Sequence, residues 1–325
     1  MTPRRSEPRP PQANVCPISI PGAARTSWRC TSRSRSLPRP ERVRLVTYEG
    51  GRGAEAGVLV AKRVVPTAAL DARSATVRGL LETLDAPALA ELGRRAEAAN
   101  TGLPLESVRL LAPVPDPEKI ICLGLNYRDH AAEIGQQPPA APLWFGKFAN
   151  SLIGNGEHIV LPAAHPEFVD YEAELAVVLG RSAHRVAVED ALAHVAGAMA
   201  FNDVSARDLQ LQNPLWTSGK AIDTFAPCGP ALVTLDEIPD IQQLGVRTRV
   251  NGELLQDGTT REQIFTVAQA VAWLSRTMTL APGDIIATGT PAGVGASKGR
   301  FLRDGDVVEI ELDGLGTLAN PVRSE

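Results

Sequence analysis

The sequence predicts an α+β, β-rich protein: a mixed β-roll preceded by a small N-terminal α/β module. Two observations carry this expectation. Beyond Lys119, short apolar runs recur at 120–125, 174–179, 231–235, 246–250, 284–288 and 307–312, while helical periodicity is confined chiefly to 188–198 and 266–278. Strands therefore outnumber helices without alternating with them, which disfavours a doubly wound sheet. The chain holds only seven Phe, four Trp and three Tyr, so its core must rest on Val, Leu, Ile and Ala.

Taken in order, residues 1–42 are rich in Arg, Pro and Ser and lack hydrophobic periodicity. Such a composition buries too little apolar surface to offset chain entropy and predicts a disordered extension. An organellar transit peptide, a basic interaction arm and residues upstream of the natural start compete for it. The start-site reading is preferred, because 43–48 already reads as the first strand of a domain. Residues 43–114 form the predicted small N-terminal domain. It has strands at 43–48 and 56–65 joined by Gly50-Gly51-Arg52-Gly53, then helices at 76–84 and 86–99. Pro113, Pro115 and Pro117 exclude regular structure and mark a linker. The catalytic domain is expected over 119–325. Within it, Thr266 offers an N-cap and Phe265 a hydrophobic staple to the 266–278 helix.

Bulk properties narrow the function. No apolar run approaches the roughly 20 residues of a membrane helix, so a soluble chain with no membrane partner is expected. Cys16, Cys30, Cys122 and Cys228 are widely spaced, with neither metal-ligand spacing nor a disulfide framework, which points to a reducing cytoplasm. The five histidines form no zinc pattern, so any metal must be held by oxygen. The net charge of −4 conceals nine Arg against two Glu in 1–42, leaving −11 on the remainder. An acidic body argues against a nucleic-acid partner.

The chemistry-bearing residues lie in a few segments. In Asp170-Tyr171-Glu172-Ala173-Glu174-Leu175, read as a strand, Glu172 and Glu174 share a face with Ala176 and Val178. Two carboxylates on so apolar a face need a counter-ion, for which a hard divalent cation is the simplest. A solvated strand end, or a helix start rich in acids, is the competing reading. Asp203 follows a second apolar run, and Arg207 and Gln210 project from one helical face, suited to a substrate carboxylate or carbonyl. An ordinary capped helix competes there. His130 and Glu133 sit one turn apart, as a general base acting on water requires, although an exposed i,i+3 pair looks the same.

Only five Lys occur against 28 Arg. Lys147 and Lys220, framed by Gly and aromatics, hint at a pocket wall that needs a compact charge. The Gly-rich stretch 288–295 is neither a dinucleotide fingerprint nor a P-loop. Its N–H groups can cradle a carboxylate, or it is a plain turn. No G-x-S-x-G elbow occurs, which counts against a serine hydrolase.

Five motifs occur in a fixed order. They are Gly-Leu-Asn-Tyr-x-x-His-x-x-Glu at 124–133, Asp-Tyr-Glu-x-Glu-Leu at 170–175 and Asn-Asp-Val-Ser-Ala-Arg-Asp-x-Gln at 202–210. Lys-x-x-Asp-Thr-Phe-x-Pro-x-Gly-Pro at 220–230 and Thr-Gly-Thr-Pro-x-Gly-Val-Gly at 288–295 follow. In these the chain resembles the fumarylacetoacetate hydrolase family. The resemblance implies that family's β-roll and a homodimer, with Mg²⁺ or Mn²⁺ held by Glu172, Glu174 and Asp203. It implies a catalytic dyad of His130 and Glu133 on a lid, with Lys220 beside the developing charge. Lys147, Arg207, Gln210 and Thr290 are implied around a small 2-oxo acid.

Within that resemblance the first expectation is a metal-dependent hydrolase cleaving a C–C bond in a 2,4-dioxo acid of acylpyruvate or fumarylpyruvate type, through a metal-stabilised enolate. The alternatives are an isomerase or decarboxylase of hydroxydienedioates or tricarboxylates in aromatic catabolism, or an oxaloacetate decarboxylase. A non-catalytic metal-binding scaffold is the alternative from another class. It has no use for this many functional groups at one site.

Overall fold

Aliphatic and β-branched runs pair into two principal sheets in the computed structural model, which describes residues 43–51, 53–72, 74–165, 167–212 and 214–325. The disorder expected for 1–42 lies outside the described residues, as does Arg52 of the Gly-rich turn. The larger sheet has twelve strands. At its centre Ala173–Leu179 runs antiparallel to both Val195–Asn202 and Ile285–Ala287. Beyond Val195–Asn202 comes Ala226–Thr234, and then Arg44–Gly50, through which the segment 43–114 joins the sheet. On the other side Ile285–Ala287 pairs in parallel with Ile120–Gly124, which carries the edge strand Leu143–Lys147.

The second sheet has five strands, with Glu253–Thr259 at one edge followed by Gly245–Val250, Val307–Leu312 and Gly316–Ser324. Period-two alternation divides the central strand between two cores. Leu175, Val177 and Leu179 share one core with Val246, Ile310, Leu312 and Leu318 of the second sheet. Ala176 and Val178 share another with Leu80, Leu81, Leu89 and Leu92 of the N-terminal helices. A strand buried on both faces must be apolar on both, so Glu172 and Glu174 stand out against it.

The two N-terminal helices are set by their caps. Thr76 accepts from the Gly79 N–H ahead of Val77–Thr83, and Asp85 accepts from the Ala88 N–H ahead of Ala86–Ala98. Two expectations differ from the structure. The run at 56–65 is two strands, Gly53–Val60 and Arg63–Pro66, folded on each other at Ala61, where φ is +51°. A two-residue turn without Gly or Asn leaves no mark on an apolar run. The helical pattern at 188–198 gives only a short turn, Ala191–His194, and then the strand Val195–Asn202. Strands on both its edges override its helix-forming composition. By contrast, Thr266 and Gln269 form a reciprocal capping box on Val267–Leu274. At its end the Ser275 hydroxyl turns back to the Ala272 carbonyl and accepts the Val186 N–H.

Candidate active site

The triad is assembled by strand register. Glu172 and Glu174 flank Ala173 at the start of the central strand, and Glu174 pairs with Phe201 across the ladder. Two residues past Phe201 the chain leaves the sheet, and the Asp203 N–H donates to the Glu172 carbonyl at 2.9 Å. One carboxylate oxygen from each of Glu172, Glu174 and Asp203 lies within 4.8 Å of the others. The residues are only 6, 1 and 1 % exposed, so bulk water cannot screen their repulsion.

Cations answer part of that charge. Lys220 Nζ bridges Glu172 Oε2 and Asp203 Oδ2, each at 2.7 Å, and Lys147 Nζ donates to Asp203 Oδ1 at 2.5 Å. Arg207 Nη1 sits 2.7 Å from Glu172 Oε1, while its Nε and Nη2 hold Asp170 Oδ2 at 2.9 and 2.6 Å. Burial alone opposes ionisation of Glu172, yet Lys220 and Arg207 together outweigh it and hold the carboxyl well below the usual range. Glu174 goes the other way. Burial, then the charges of Asp203 and Glu172, push it well above the carboxylate range. Among the described residues no cation pairs with it; Oε2 accepts the Gly289 N–H at 2.9 Å. Four carboxylates thus face three cationic side chains. An all-oxygen donor set with one uncompensated charge fits a hard divalent cation.

The dyad residues also meet. His130 Nδ1 lies 3.0 Å from Glu133 Oε2 on the helix Arg128–Glu133. Asn126 pins the root of that helix, donating to the carbonyls of Phe265 and Thr288 and accepting the Phe265 N–H. The Gly-rich turn does cradle carboxylates, but the protein's own. Gly289 N–H holds Glu174, Ala292 N–H holds Asp129 at 3.3 Å, and Gly293 N–H holds Glu133 at 2.9 Å. Gly295 and Ala296 N–H hold Asp170 at 2.7 and 2.9 Å.

His130, Glu133, Glu172, Glu174, Arg207, Gln210, Lys220 and Thr290 all line one cavity of about 650 Å³. Lys147 and Asp203 lie behind its wall, Lys147 with a fully buried side chain. Phe145 closes part of the wall, edge-on to Trp216 at 5.7 Å and beneath Lys220 Nζ at 5.1 Å. Asp170, Asn126 and Gln256 support the site without having been singled out from the sequence. The first two lie inside the quoted motifs, but Gln256 is an unremarkable residue on a distant strand.

The model of the fumarylacetoacetate hydrolase C-terminal domain matches residues 119–323. The chain belongs to the fumarylacetoacetate hydrolase family. It is an enzyme of that family, and the family's β-rich mixed fold is the fold described above. It is 47% identical over 220 residues to a mitochondrial oxaloacetate tautomerase of Xenopus laevis, covering 66% of this chain and 69% of that protein. To a mitochondrial oxaloacetate tautomerase of Homo sapiens it is 45% identical over 236 residues, covering 71% and 75%. Among solved structures, maleylpyruvate hydrolase from Sphingobium sp. SYK-6, in complex with manganese(II) ion and pyruvate, is similar at a TM-score of 0.73. The two are 32% identical, over 86% of this chain and 99% of that one. The 2-hydroxyhepta-2,4-diene-1,7-dioate isomerase of Mycobacterium marinum has a TM-score of 0.70 at 34% identity, covering 87% and 99%.

Two expectations are corrected by these findings. The cytoplasmic location is overturned, since the similar tautomerases are mitochondrial. Unpaired thiols report a reducing environment and cannot name the compartment. Hydrolysis as the leading activity gives way to the alternatives, because the relatives at 47% and 45% identity are tautomerases and the solved neighbours include an isomerase. Among the described residues no helix is long and apolar enough to cross a membrane.

Proposed function

We propose that this enzyme interconverts the enol and keto forms of oxaloacetate, or of a closely similar 2-oxo dicarboxylic acid. The reading includes a divalent cation, Mg²⁺ or Mn²⁺, held by Glu172, Glu174 and Asp203, and a homodimeric assembly. The observation that carries it is that Glu172 and Glu174 line one cavity with the His130–Glu133 pair, while Asp203, behind the wall, completes a buried oxygen-donor triad. Identity of 47% and 45% to oxaloacetate tautomerases favours tautomerisation over the acylpyruvate hydrolysis that the sequence suggested.

When bound, the cation supplies Lewis acidity toward the 2-oxo carboxylate. The side chains do the rest. Gln210 gives its carbonyl oxygen to Arg207 Nη1 at 2.9 Å, a group that only donates, so its amide nitrogen is left to bind a substrate carboxylate. Lys220 places positive charge where the C2 oxygen becomes anionic as the enol loses its proton. His130, with Nδ1 on Glu133, keeps Nε2 for the cavity and delivers a proton to C3. The C2 hydroxyl proton passes to solvent and His130 regains from solvent the proton it gives to C3, so the reaction balances without a further reactant. Glu133, held by the Gly293 N–H, keeps the imidazole oriented.

Ketonisation of enol-oxaloacetate, followed by loss of enol absorbance with purified protein and Mg²⁺, tests this directly. We expect acceleration in the wild type and none above buffer in His130→Asn. A second reading, C–C hydrolysis, is favoured by the likeness to maleylpyruvate hydrolase bound to manganese(II) and pyruvate. There the same dyad would activate water. Release of pyruvate from an acylpyruvate, with enol decay left at the buffer rate, would overturn tautomerisation in its favour. Light scattering giving a monomer mass would overturn the dimer.

A further inference from the structure

We propose that Gln256 is a positioning residue that fixes the polarity of the Thr290 hydroxyl, making it an obligatory hydrogen-bond donor to the substrate; this rests on the 2-oxo acid reading above. Gln256 lies on Glu253–Thr259, the edge strand of the second sheet, and is 1 % exposed. Its amide is fully engaged. Oε1 accepts from the Ala173 N–H at 2.9 Å and from Thr248 Oγ1 at 2.6 Å. Nε2 donates to the Pro291 carbonyl at 2.9 Å and to Thr290 Oγ1 at 2.8 Å.

Two of these partners leave no choice of direction. A backbone N–H can only donate and a proline carbonyl can only accept. Flipping the amide would set donor against donor at Ala173 and acceptor against acceptor at Pro291, both buried, which is strongly unfavourable. The orientation is therefore dictated by the backbone. Both Nε2 hydrogens are then committed, and Thr290 Oγ1 must accept one of them. The hydroxyl's own proton points away from Gln256. Among the described residues no acceptor takes it, and Thr290 lines the cavity. Polarity thus passes from two backbone groups through one amide to one hydroxyl. A hydroxyl so fixed complements a carboxylate or carbonyl oxygen and disfavours a group that can only donate.

The same amide ties three parts of the site together. Ala173 stands between Glu172 and Glu174, Thr290 faces the cavity, and Pro291 leads into Ala292 and Gly293, which hold Asp129 and Glu133. Through this side chain the second sheet reaches the strand that carries Glu174.

Calorimetric titration of oxalate into Mg²⁺-loaded protein tests the inference without depending on which bond the enzyme breaks. Gln256→Glu keeps the acceptor for Ala173 but turns the Thr290 proton toward itself, and should weaken oxalate about tenfold. Gln256→Met, neutral and of similar size, should also weaken it, which excludes a mere charge effect. Thr290→Val should lose a similar factor and Thr290→Ser should stay within about threefold of wild type. Each Gln256 variant combined with Thr290→Val should bind no more weakly than Thr290→Val alone, because Gln256 acts through that hydroxyl. Melting curves establish that each variant folds, and either Gln256 variant suffices. Losses that multiply in the double variants, or wild-type affinity in a folded Gln256 variant, overturn the role of Gln256. Wild-type protein that binds no oxalate overturns the 2-oxo acid reading itself.

Discussion

Glu174 shows how single residues divide the work of the site. Lys220 and Arg207 satisfy Glu172, and Lys147 and Lys220 satisfy Asp203, but among the described residues Glu174 has only the Gly289 N–H. Its raised pKa means that the cation-free protein holds a proton there that the unfolded chain would release. The stability from that proton is complete below the unfolded value and is lost as pH rises through the raised one. Glu172 works in the opposite sense. Held low, it favours the fold above the ordinary carboxylate range and loses that contribution as pH falls. A divalent cation would replace the Glu174 proton. Mg²⁺ binding is therefore expected to release protons within that window, read as a buffer-dependent heat in calorimetry, and Glu174→Gln should abolish the release. Equal heats in buffers of different ionisation enthalpy would refute the assignment.

At the scale of elements, the turn between Ile285–Ala287 and Gly295–Lys298 does more than reverse the chain. Its N–H groups hold Glu174, Asp129, Glu133 and Asp170, and so set the distance between triad and dyad. Gly293 is a tight point with a positive φ. Its φ is +103°, and an added Cβ would come 2.4 Å from the Leu255 carbonyl. Gly293→Ala should destabilise by about 1–3 kcal/mol in urea unfolding and lower kcat, because the N–H holding Glu133 is displaced. An unchanged midpoint with unchanged kcat would show that the turn tolerates the shift. A cap far from the cavity gives the contrast. Thr76→Ala removes the hydroxyl that accepts the Gly79 N–H, and should lower stability by about 1 kcal/mol with kcat/KM unchanged.

At the scale of the whole molecule, one sheet runs from the N-terminal segment to the site. Arg44–Gly50 pairs with Ala226–Thr234, which pairs with Val195–Asn202, the strand that ends at Asp203. The N-terminal helices cover the face of this sheet that carries Ala176, Val178 and Phe201. Leu80, fully buried among them, reports on that core. Leu80→Ala should destabilise by about 2–5 kcal/mol and shift a single cooperative transition, since no break in the sheet separates the two parts. Two resolved unfolding steps, with only the first affected, would contradict that coupling.

The sequence by itself determined what is local and chemical. Short apolar runs marked the strands, Thr266 announced a helix start, and the spacing of Glu172 and Glu174 put two carboxylates on one face, because these properties depend on neighbours along the chain. Five ordered motifs were enough to name the family. The tertiary structure alone decided what depends on neighbours in space. It turned 188–198 from a helical pattern into a strand, by supplying partners on both edges. It placed Lys147 behind Asp203 rather than in the cavity wall, and it directed the Gly-rich turn's N–H groups to the protein's own carboxylates. It also brought Gln256 from the far edge of another sheet to Ala173 and Thr290, a contact for which no pattern exists because side-chain amides look alike on every exposed strand. The charge balance at Glu174 belongs to the same class. The further repulsion from Asp203 appears only once register brings that carboxylate within reach.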